Sequence, residues 1–411
     1  MVKFIHAADL HLDSPFKGLK KLPKKTLKMI KESTFLSLRH IVNQAINHEV
    51  DFVLLAGDIY DIDDRSIKAQ VFLKEELERL KQENIPVFLI HGNHDYQAND
   101  EAHLSMPSNV TVYGSGVETH TLLTESGEKV AISGFTYDKK WIEERKIKHY
   151  PQRSNHVDFH IGLLHGYAEG QDSDHGRYAP FSLSELREKN YDYWALGHIH
   201  KRQQLSKNPL IYYSGNTQGR NKKETGEKGC LLVELHPTTS QVQFIQTAPI
   251  IWESMEVNAA NFTALDDVYE LVKEAVREES QHSKLIHLTL TVSNELPPSV
   301  MKKLEQTDFY EAVNHYSEDR FSFIVEATVK IELKDNQVLS LNSVFPEAWA
   351  QSLEEMASKE SFNQVTDELY RMHAFSKHLS VRDADYRKDI MDKAVHLLLQ
   401  DLGEEGVRNE D

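Results

Sequence analysis

The stretch Gly92-Asn93-His94-Asp95 follows the apolar run Val87–Ile90. Four consecutive apolar residues are typical of a strand covered on both faces, and the polar residues after them predict a turn where that strand ends. In open α/β sheets, ligands bind at the carboxyl ends of the strands. The turn therefore places an amide, an imidazole and a carboxylate where a metal or acid–base site is expected. From these four residues alone, an Asn/Asp turn bonded to its own backbone is an equal alternative.

Other apolar runs in the first half of the chain end in the same way. Four runs are followed by Asp9-x-His11, by Gly57-Asp58, by His165-Gly166 and by Gly197-His198-x-His200. Between the early runs lie two segments with helical spacing, one around residues 38–46 and one at residues 66–83. This alternation predicts an α/β fold with a largely parallel sheet.

Strand ends that share one edge of a sheet bring their polar residues together, so we expect one cluster of metal ligands. Its seven members are Asp9, His11, Asp58, Asn93, His165, His198 and His200. Seven ligands exceed the need of one ion, which predicts two cations with Asp58 as the bridge. Asp9, His11 and His200 would complete one shell, and Asn93, His165 and His198 the other. Oxygen and nitrogen donors without sulfur favour Mn²⁺, Fe²⁺ or Zn²⁺.

Two cations roughly 3.5–4 Å apart can activate a water and hold the oxygens of an in-line displacement at phosphorus. His94 would then lie beside the cations without binding them, where it could donate a proton to the leaving oxygen. Asp95 is expected to orient His94 or a neighbouring histidine. His94 and Asp95 are therefore the predicted catalytic pair.

Composition limits the class of protein. The chain has 411 residues, a net charge of −17 and a single cysteine, Cys230. No internal disulfide or thiolate cluster can form, no apolar run is long enough to span a bilayer, and the N-terminus is not a signal peptide, so we expect a cytoplasmic protein. Residues 17–31 carry lysines without acids, and the predicted phosphate contacts are Lys17, Lys20, Lys21, Lys24 and Lys25. A solvated helix face is the alternative for these lysines.

The second half of the chain has a different pattern. Residues 252–257 and 285–292 are predicted strands on either side of a helix at 265–278, residues 297–313 are a predicted helix, and residues 321–333 are rich in β-branched residues. From residue 345 onward the chain is predicted to be helical. Residues 226–229, with two glycines, predict a hairpin turn.

The spaced motifs resemble those of the calcineurin-like metallophosphoesterases, which bind a dinuclear centre. Within that superfamily the chain is similar to the SbcD-type DNA repair exonucleases, in particular the YhaO-like group. The detailed similarity lies in Asp9-Leu10-His11-Leu12-Asp13, Gly57-Asp58-Ile59-Tyr60-Asp61, Tyr178-Ala179-Pro180-Phe181, residues 191–201 and Gly226-Glu227-Lys228-Gly229. Many relatives have a histidine where this chain has Asp61, so the role of that position is open.

The resemblance implies a four-layer αββα sandwich at residues 1–250, a small α+β capping domain at 251–340 and a C-terminal helical region at 341–411. It further implies a Mn²⁺-dependent exonuclease or endonuclease that acts on DNA ends in repair. An SMC-like coiled-coil ATPase would be a separate chain, since this sequence has no phosphate-binding Gly-Lys-Ser/Thr loop. A second copy of the chain is another candidate partner, and no membrane association is expected.

Two alternatives stay open. A phosphatase or phosphodiesterase for a small or non-DNA substrate could use the same ligands. A DNA-end-binding scaffold subunit with little turnover could also keep them. The polarity of digestion, the preference for single or double strands, the physiological metal and the oligomeric state depend on surfaces that sequence does not give.

Overall fold

The structure is a computed structural model that describes residues 1–16, 19, 22–61, 65–96, 103–170, 178–277, 282–316, 320–332, 345–371, 383–388, 390–391 and 393–395. Its chain forms two compact units. The first consists of Met1–Glu253, Ser280–Ile286 and Ser317–Phe321, and the second of Ser254–Glu279, His287–Tyr316 and Ser322–Asp411.

The first unit contains two six-stranded mixed sheets. In the first sheet, four parallel strands lie side by side and two antiparallel strands follow at the β1 edge. Its strands, in spatial order, are β12 (Gln241–Gln246), β11 (Gly229–Leu235), β1 (Val2–Ala7), β2 (Phe52–Ala56), β3 (Val87–Ile90) and β4 (Val110–Val112). The carboxyl ends of β1, β2 and β3 therefore meet at one edge.

The second sheet has the same character, with β6, β7, β8 and β10 parallel and an antiparallel strand on each side. Its strands, in spatial order, are β5 (Glu118–Leu123), β6 (Lys129–Gly134), β7 (Phe159–His165), β8 (Tyr193–Gly197), β10 (Leu210–Tyr213) and β9 (Gln203–Lys207).

The alternation of side chains along β2 explains the layering. Phe52 and Leu54 belong to the core between the two sheets, whereas Val53 and Leu55 pack against helices on the other face of the first sheet. These helices are α1 (Lys24–Asn47) and α2 (Ile67–Gln82), and α2 begins at Ser66, whose Oγ accepts the Ala69 N–H at 3.1 Å. Each fully buried large apolar side chain contributes about 1.5–3 kcal/mol, so both faces stabilise the sheet.

The outer face of the second sheet is covered by a separate apolar cluster that includes Phe181, Trp194 and Leu196. The short helix α3 (Leu183–Glu188) and a 3₁₀ turn (Lys146–His149) border it. Ser182 caps α3, and its backbone N–H in turn reaches Glu185. Helices, two sheets and this outer layer form the predicted four-layer αββα sandwich, which is confirmed.

The second unit has a four-stranded sheet in the order β13 (Ile250–Ala259), β14 (Ser283–Ser293), β16 (Phe321–Glu332) and β15 (His315–Tyr316). The first residues of β13, β14 and β16 are assigned to the first unit. Its helices are α4 (Leu265–Arg277), α5 (Pro298–Leu304), α6 (Thr307–Val313), α7 (Pro346–Ala357) and α8 (Lys359–Arg371). The helix predicted at residues 297–313 is thus two helices, since Glu305 and Gln306 interrupt it.

One predicted turn is wrong. Residues 226–229 do not close a hairpin, because the segment before β11 bonds to the end of β12 and to β13. The Gly226 N–H donates to the Trp252 carbonyl at 2.9 Å, and the Thr247 N–H donates to the Lys228 carbonyl at 3.1 Å. Among the residues that the structure describes, no helix combines the length and hydropathy needed to cross a bilayer. The predicted domain bounds stay a prediction.

Candidate metal centre

The seven predicted ligands come together at the carboxyl edge of the two sheets. Asp9 and His11 follow β1, Asp58 follows β2 and Asn93 follows β3. From the second sheet, His165 ends β7, and His198 and His200 follow β8. Because these strands are parallel within each sheet, local sequence alone delivers the side chains to one edge.

The backbone at four of these residues has positive φ: 52° at Asp9, 44° at His11, 49° at Asp58 and 101° at His198. Each such conformation typically costs on the order of 1–3 kcal/mol for a residue with a side chain, and it persists only where the surroundings impose it. Here the segment after β1 is bonded to the segment after β2, with Asp9 N–H to Gly57 O and His11 N–H to Asp58 O, both at 3.0 Å. The ligands are held by this backbone ladder.

One group of donors consists of Asp9, His11 and His200, whose ligand atoms lie within 4.8 Å of one another. The Nε2 atoms of His11 and His200 are only 3.1 Å apart. Two imidazole nitrogens at that distance share either a proton or a cation. These are the three residues that the sequence predicts around one cation, in addition to the bridging Asp58.

A second group consists of Asp58, His165 and His198, joined by Asn93. Asn93 Oδ1 lies 3.0 Å from His165 Nε2 and 3.1 Å from His198 Nδ1. Asp58 Oδ2 lies 3.5 Å from His165 Nε2 and 3.8 Å from His11 Nε2 in the other group. The same carboxylate oxygen thus faces both groups, as a bridging ligand must.

Glycines make the room that His165 occupies. A Cβ at Gly57 would lie 2.4 Å from His165 Nδ1, one at Gly92 would lie 2.7 Å from its Nε2, and one at Gly197 would lie 2.9 Å from its Nδ1. Gly57 also has a φ of +89°, which favours glycine. The glycines beside the ligands in the sequence motifs are therefore required for space.

The buried carboxylates of Asp9 and Asp58 favour the binding of cations at this centre. Burial alone would lower the pKa of His165, but the carboxylates of Asp58 and Asp9 raise it to about 9. Burial would raise the pKa of Asp58, yet His165 and His11 hold it well below its usual range. His165 Nδ1 donates to the Ala56 carbonyl at 3.0 Å, so Nε2 is the nitrogen directed at the centre. Oxygen and imidazole donors around two buried carboxylates fit divalent metals.

His94 lies next to the ligands and is fixed through its backbone and ring. Its N–H donates to Asp58 Oδ1 at 3.0 Å, and its Nδ1 lies 2.9 Å from the carbonyl oxygen of Asp61. A carbonyl accepts only, so Nδ1 carries the proton and Nε2 is left for exchange. The ring centroid is 5.0 Å from that of His11.

Of the two roles expected for Asp95, the structure supports the second: its carboxylate bonds a neighbouring histidine, His91, whereas the His94 ring bonds the Asp61 carbonyl. Its fully buried carboxylate accepts the N–H groups of Ile59 at 2.8 Å, Tyr60 at 3.2 Å and Gly92 at 2.7 Å, and it bonds His91 Nδ1 at 3.0 Å. The Asp61 carbonyl takes the place predicted for Asp95 beside the His94 ring. Asp95 joins the loops after β2 and β3, so it positions the backbone and does not face a substrate.

Of the five predicted lysines, the structure describes two, and neither belongs to this cluster. Lys24 and Lys25 lie in the first turn of α1 with exposed side chains, and Lys17, Lys20 and Lys21 lie outside the described residues. Lys24 instead lines an open surface groove of about 290 Å³ together with Leu27, Lys28, Lys31, Glu32 and Lys68. Their role as phosphate contacts stays a prediction.

Sequence reasoning missed three residues that surround the ligands. Asp61 Oδ1 lies 3.1 Å from His11 Nδ1, and Glu224 Oε1 lies 2.9 Å from His200 Nδ1. Arg220 pairs with Asp61 and donates its backbone N–H to Glu224 at 2.8 Å. Glu224 and Arg220 lie in the irregular segment between β10 and β11, where no strand end marks them. Asp61 was noticed only as a departure from the family motif.

The comparisons with known proteins agree with this geometry. The family model of calcineurin-like phosphoesterases matches residues 2–202. The chain is 34% identical over 403 residues, or 97% of both chains, to YhaO of Bacillus subtilis (strain 168), which is described as an uncharacterized metallophosphoesterase. It is 26% identical to the DNA double-strand break repair protein Mre11 of Thermoplasma acidophilum over 54% of this chain and 57% of that one. For Mre11 of Sulfolobus acidocaldarius the identity is 23% over 84% and 89%.

Proposed function

Because the chain belongs to the calcineurin-like phosphoesterase family, we propose that this metal-dependent phosphoester hydrolase is a nuclease that cleaves phosphodiester bonds at DNA ends, as an exonuclease or endonuclease in DNA repair. The observation that carries the proposal is the arrangement of seven donors in two groups that share Asp58, with His94 beside them. The choice of DNA rests on relatives that are named as DNA double-strand break repair proteins.

The residues that would hold the two cations are Asp9, His11, His200 and Asp58 for one, and Asp58, Asn93, His165 and His198 for the other. When bound, two such cations supply the Lewis acidity and the activated water that phosphodiester hydrolysis requires. We propose Mn²⁺ as the physiological metal, with Fe²⁺ and Zn²⁺ as alternatives that the same donors accept.

His94 is the proposed proton donor to the leaving oxygen. The Asp61 carbonyl keeps a proton on His94 Nδ1, and the bond from its backbone to Asp58 ties the ring to the bridging carboxylate. The Nε2 nitrogen can therefore take a proton from solvent and deliver it to an alkoxide. General acid catalysis of this kind contributes typically about 10²–10⁴-fold to a rate.

Protein partners are also proposed. The amphipathic helix α8 leaves Val365 65% exposed and Leu369 49% exposed. Apolar residues at this spacing on one helix face are suited to a helical partner. We propose a separate SMC-like coiled-coil ATPase there, and a second copy of this chain is the alternative occupant. Size-exclusion chromatography of the pure chain separates these, because a dimer would form without the ATPase.

The test of the nuclease proposal is hydrolysis of end-labelled linear, nicked and circular DNA in Mn²⁺, Fe²⁺ or Zn²⁺, beside a small chromogenic phosphodiester. We expect linear DNA to be degraded, and His94→Gln to lose about 10²-fold or more in rate while still binding two cations. His120→Gln is the matched control, since His120 is a partly exposed histidine of β5 outside the cluster.

Activity on the small ester alone would replace the DNA proposal by the small-substrate alternative. DNA binding with no turnover in any metal would favour the scaffold alternative. If His94→Gln degraded DNA as fast as the parent chain, His94 would not be the acid.

A further inference from the structure

Two candidate ligands each have a carboxylate beside their outer nitrogen. His11 Nδ1 lies 3.1 Å from Asp61 Oδ1, and His200 Nδ1 lies 2.9 Å from Glu224 Oε1. Their inner Nε2 nitrogens are 3.1 Å apart and form one donor group with Asp9. An imidazole can present either nitrogen, and the partner of the outer one decides which is presented.

Both carboxylates meet at Arg220. Its Nη1 pairs with Asp61 Oδ1, its backbone N–H donates to Glu224 Oε2 at 2.8 Å, and its Nε lies 4.0 Å from the same oxygen. The side chain is only 16% exposed. Asp61 lies in the loop after β2 and Glu224 in the segment after β10, so Arg220 links two loops that are distant in the sequence.

We infer that Arg220 is a positioning residue for one of the two cations: through Asp61 and Glu224 it fixes the rings of His11 and His200 so that both Nε2 atoms face a single ion. This inference rests on the dinuclear centre of the proposed function. The planar guanidinium suits the role because it can hold carboxylates on two sides, which a lysine ammonium on a flexible stem does less well.

The other donor group does not depend on this arrangement. The outer nitrogen of His165 donates to the main-chain carbonyl of Ala56 at 3.0 Å, and Asn93 joins His165 to His198. A main-chain acceptor is unaffected by charge changes at Arg220. Loss of Arg220 should therefore lower the affinity for one cation and leave the affinity for the other unchanged. If Arg220 only connected the two loops, its loss would change both affinities or neither.

The charges around Arg220 agree with the geometry. Burial would raise the pKa of Glu224, but the bond to His200 and the charge of Arg220 lower it to about 2. Asp61 is likewise held ionised, since His11 and Arg220 lower its pKa against the effect of burial. Two acids with lowered pKa values beside one guanidinium place negative charge next to the outer nitrogens of both histidines.

The experiment is a Mn²⁺ titration of the full chain without DNA, by calorimetry and by electron paramagnetic resonance. The parent chain should bind two ions that give a spin-coupled signal. Arg220→Gln should lower the affinity for one ion by about 10–100-fold and leave the affinity for the other within about twofold of the parent. The signal of a mononuclear Mn²⁺ site should then appear at intermediate Mn²⁺ concentrations. Asp61→Asn and Glu224→Gln should weaken the same ion, and Arg220→Lys should lose less than Arg220→Gln.

Arg145 provides the matched control, because it also joins two carboxylates in the first unit, with Nε to Glu185 at 2.9 Å and Nη2 to Glu169 at 3.1 Å. Arg145→Gln should bind both ions as the parent does. In the double variant Arg220→Gln with Asp61→Asn, the losses should not add, since both act on His11.

The inference is overturned if Arg220→Gln keeps both Mn²⁺ affinities, or if it lowers both to the same extent. It is also overturned if the losses of affinity in the double variant add. Should Arg220→Gln fail to fold by circular dichroism, Asp61→Asn and Glu224→Gln decide in its place by the same site-selective loss. A chain that binds two ions as described and cleaves no DNA would contradict the proposed substrate and leave the role of Arg220 intact.

Discussion

Gly92→Ala tests the space on which the metal centre depends. A Cβ at residue 92 would lie 2.2 Å from Asp58 Oδ1, 2.7 Å from His165 Nε2 and 2.8 Å from the Asp58 nitrogen. Ordinary contact begins at 3.4 Å, so Asp58 Oδ1, the other oxygen of the proposed bridging carboxylate, would have to retreat by about 1.2 Å, and the whole carboxylate would shift with it. The φ of Gly92 lies outside the left-handed region, and alanine therefore adds only its methyl group.

A displacement of about 1 Å at reacting groups costs roughly 10²-fold in rate. We expect Gly92→Ala to lower the rate of phosphodiester hydrolysis by about that factor. It should also lower the affinity for both cations, because Asp58 faces both donor groups. The assay combines a Mn²⁺ titration with initial rates at saturating metal, on protein whose folding is verified by circular dichroism.

Gly116→Ala is the matched control, since a Cβ there would meet nothing within 4 Å. It should keep both affinities and the rate. If Gly92→Ala bound two ions with unchanged affinity and kept its rate within about threefold, the placement of Asp58 and His165 around residue 92 would be refuted.

Three further perturbations test other parts of the structure. Burial lowers the pKa of His6 from 6.5 to about 3, so between these pH values the unfolded chain binds a proton at His6 and the folded chain does not. The free energy of unfolding therefore falls by about 1.4 kcal/mol per pH unit as the pH drops from 6.5 to about 3. Urea unfolding at several pH values should show a shallower slope for His6→Gln, and an equal slope would contradict the burial of His6. Asp95→Ala should lower the free energy of unfolding by at least about 3 kcal/mol, because three buried N–H groups lose an ionised acceptor; a loss below about 1 kcal/mol in thermal or urea unfolding would argue against that anchor. Replacing Lys24, Lys28 and Lys31 by glutamate should reduce the slope of DNA affinity against salt concentration. An unchanged slope would mean that these lysines form a solvated helix face and do not contact phosphates.

The convergence of the candidate ligands could be predicted because their placement is encoded locally. Each follows an apolar strand, and parallel strands that are neighbours carry their carboxyl ends to one edge. The sequence rule needs no knowledge of which side chains touch, and Asp9, Asp58 and His165 satisfy it. The layers of the sandwich followed for the same reason, since two-sided apolar strands such as β2 require cover on both faces.

Partners that meet only in three dimensions could not be predicted. Glu224 and Arg220 lie in a segment without periodicity, and their value depends on how close that segment comes to the loop after β2. The spacing predicts a neighbouring histidine as a partner of Asp95, and His91 is one, but the spacing does not predict that the same carboxylate accepts the N–H groups of Ile59 and Tyr60. Pairings of this kind depend on the path of irregular segments, which residue spacing does not record.

The centre and the sandwich depend on one another through the separation of the sheets. Near the start of the strands, aromatic rings fill the space between the sheets: Phe4 stacks on Phe52 with centroids 4.9 Å apart and meets Tyr193 edge-on at 5.3 Å. At the other end, the sheets come so close that a Cβ at Gly197 would lie 1.9 Å from the Ala56 carbonyl oxygen. That approach lets His165 of the second sheet donate to Ala56 of the first. Large residues at one end and glycine at the other therefore bring donors from both sheets within reach of the same ions.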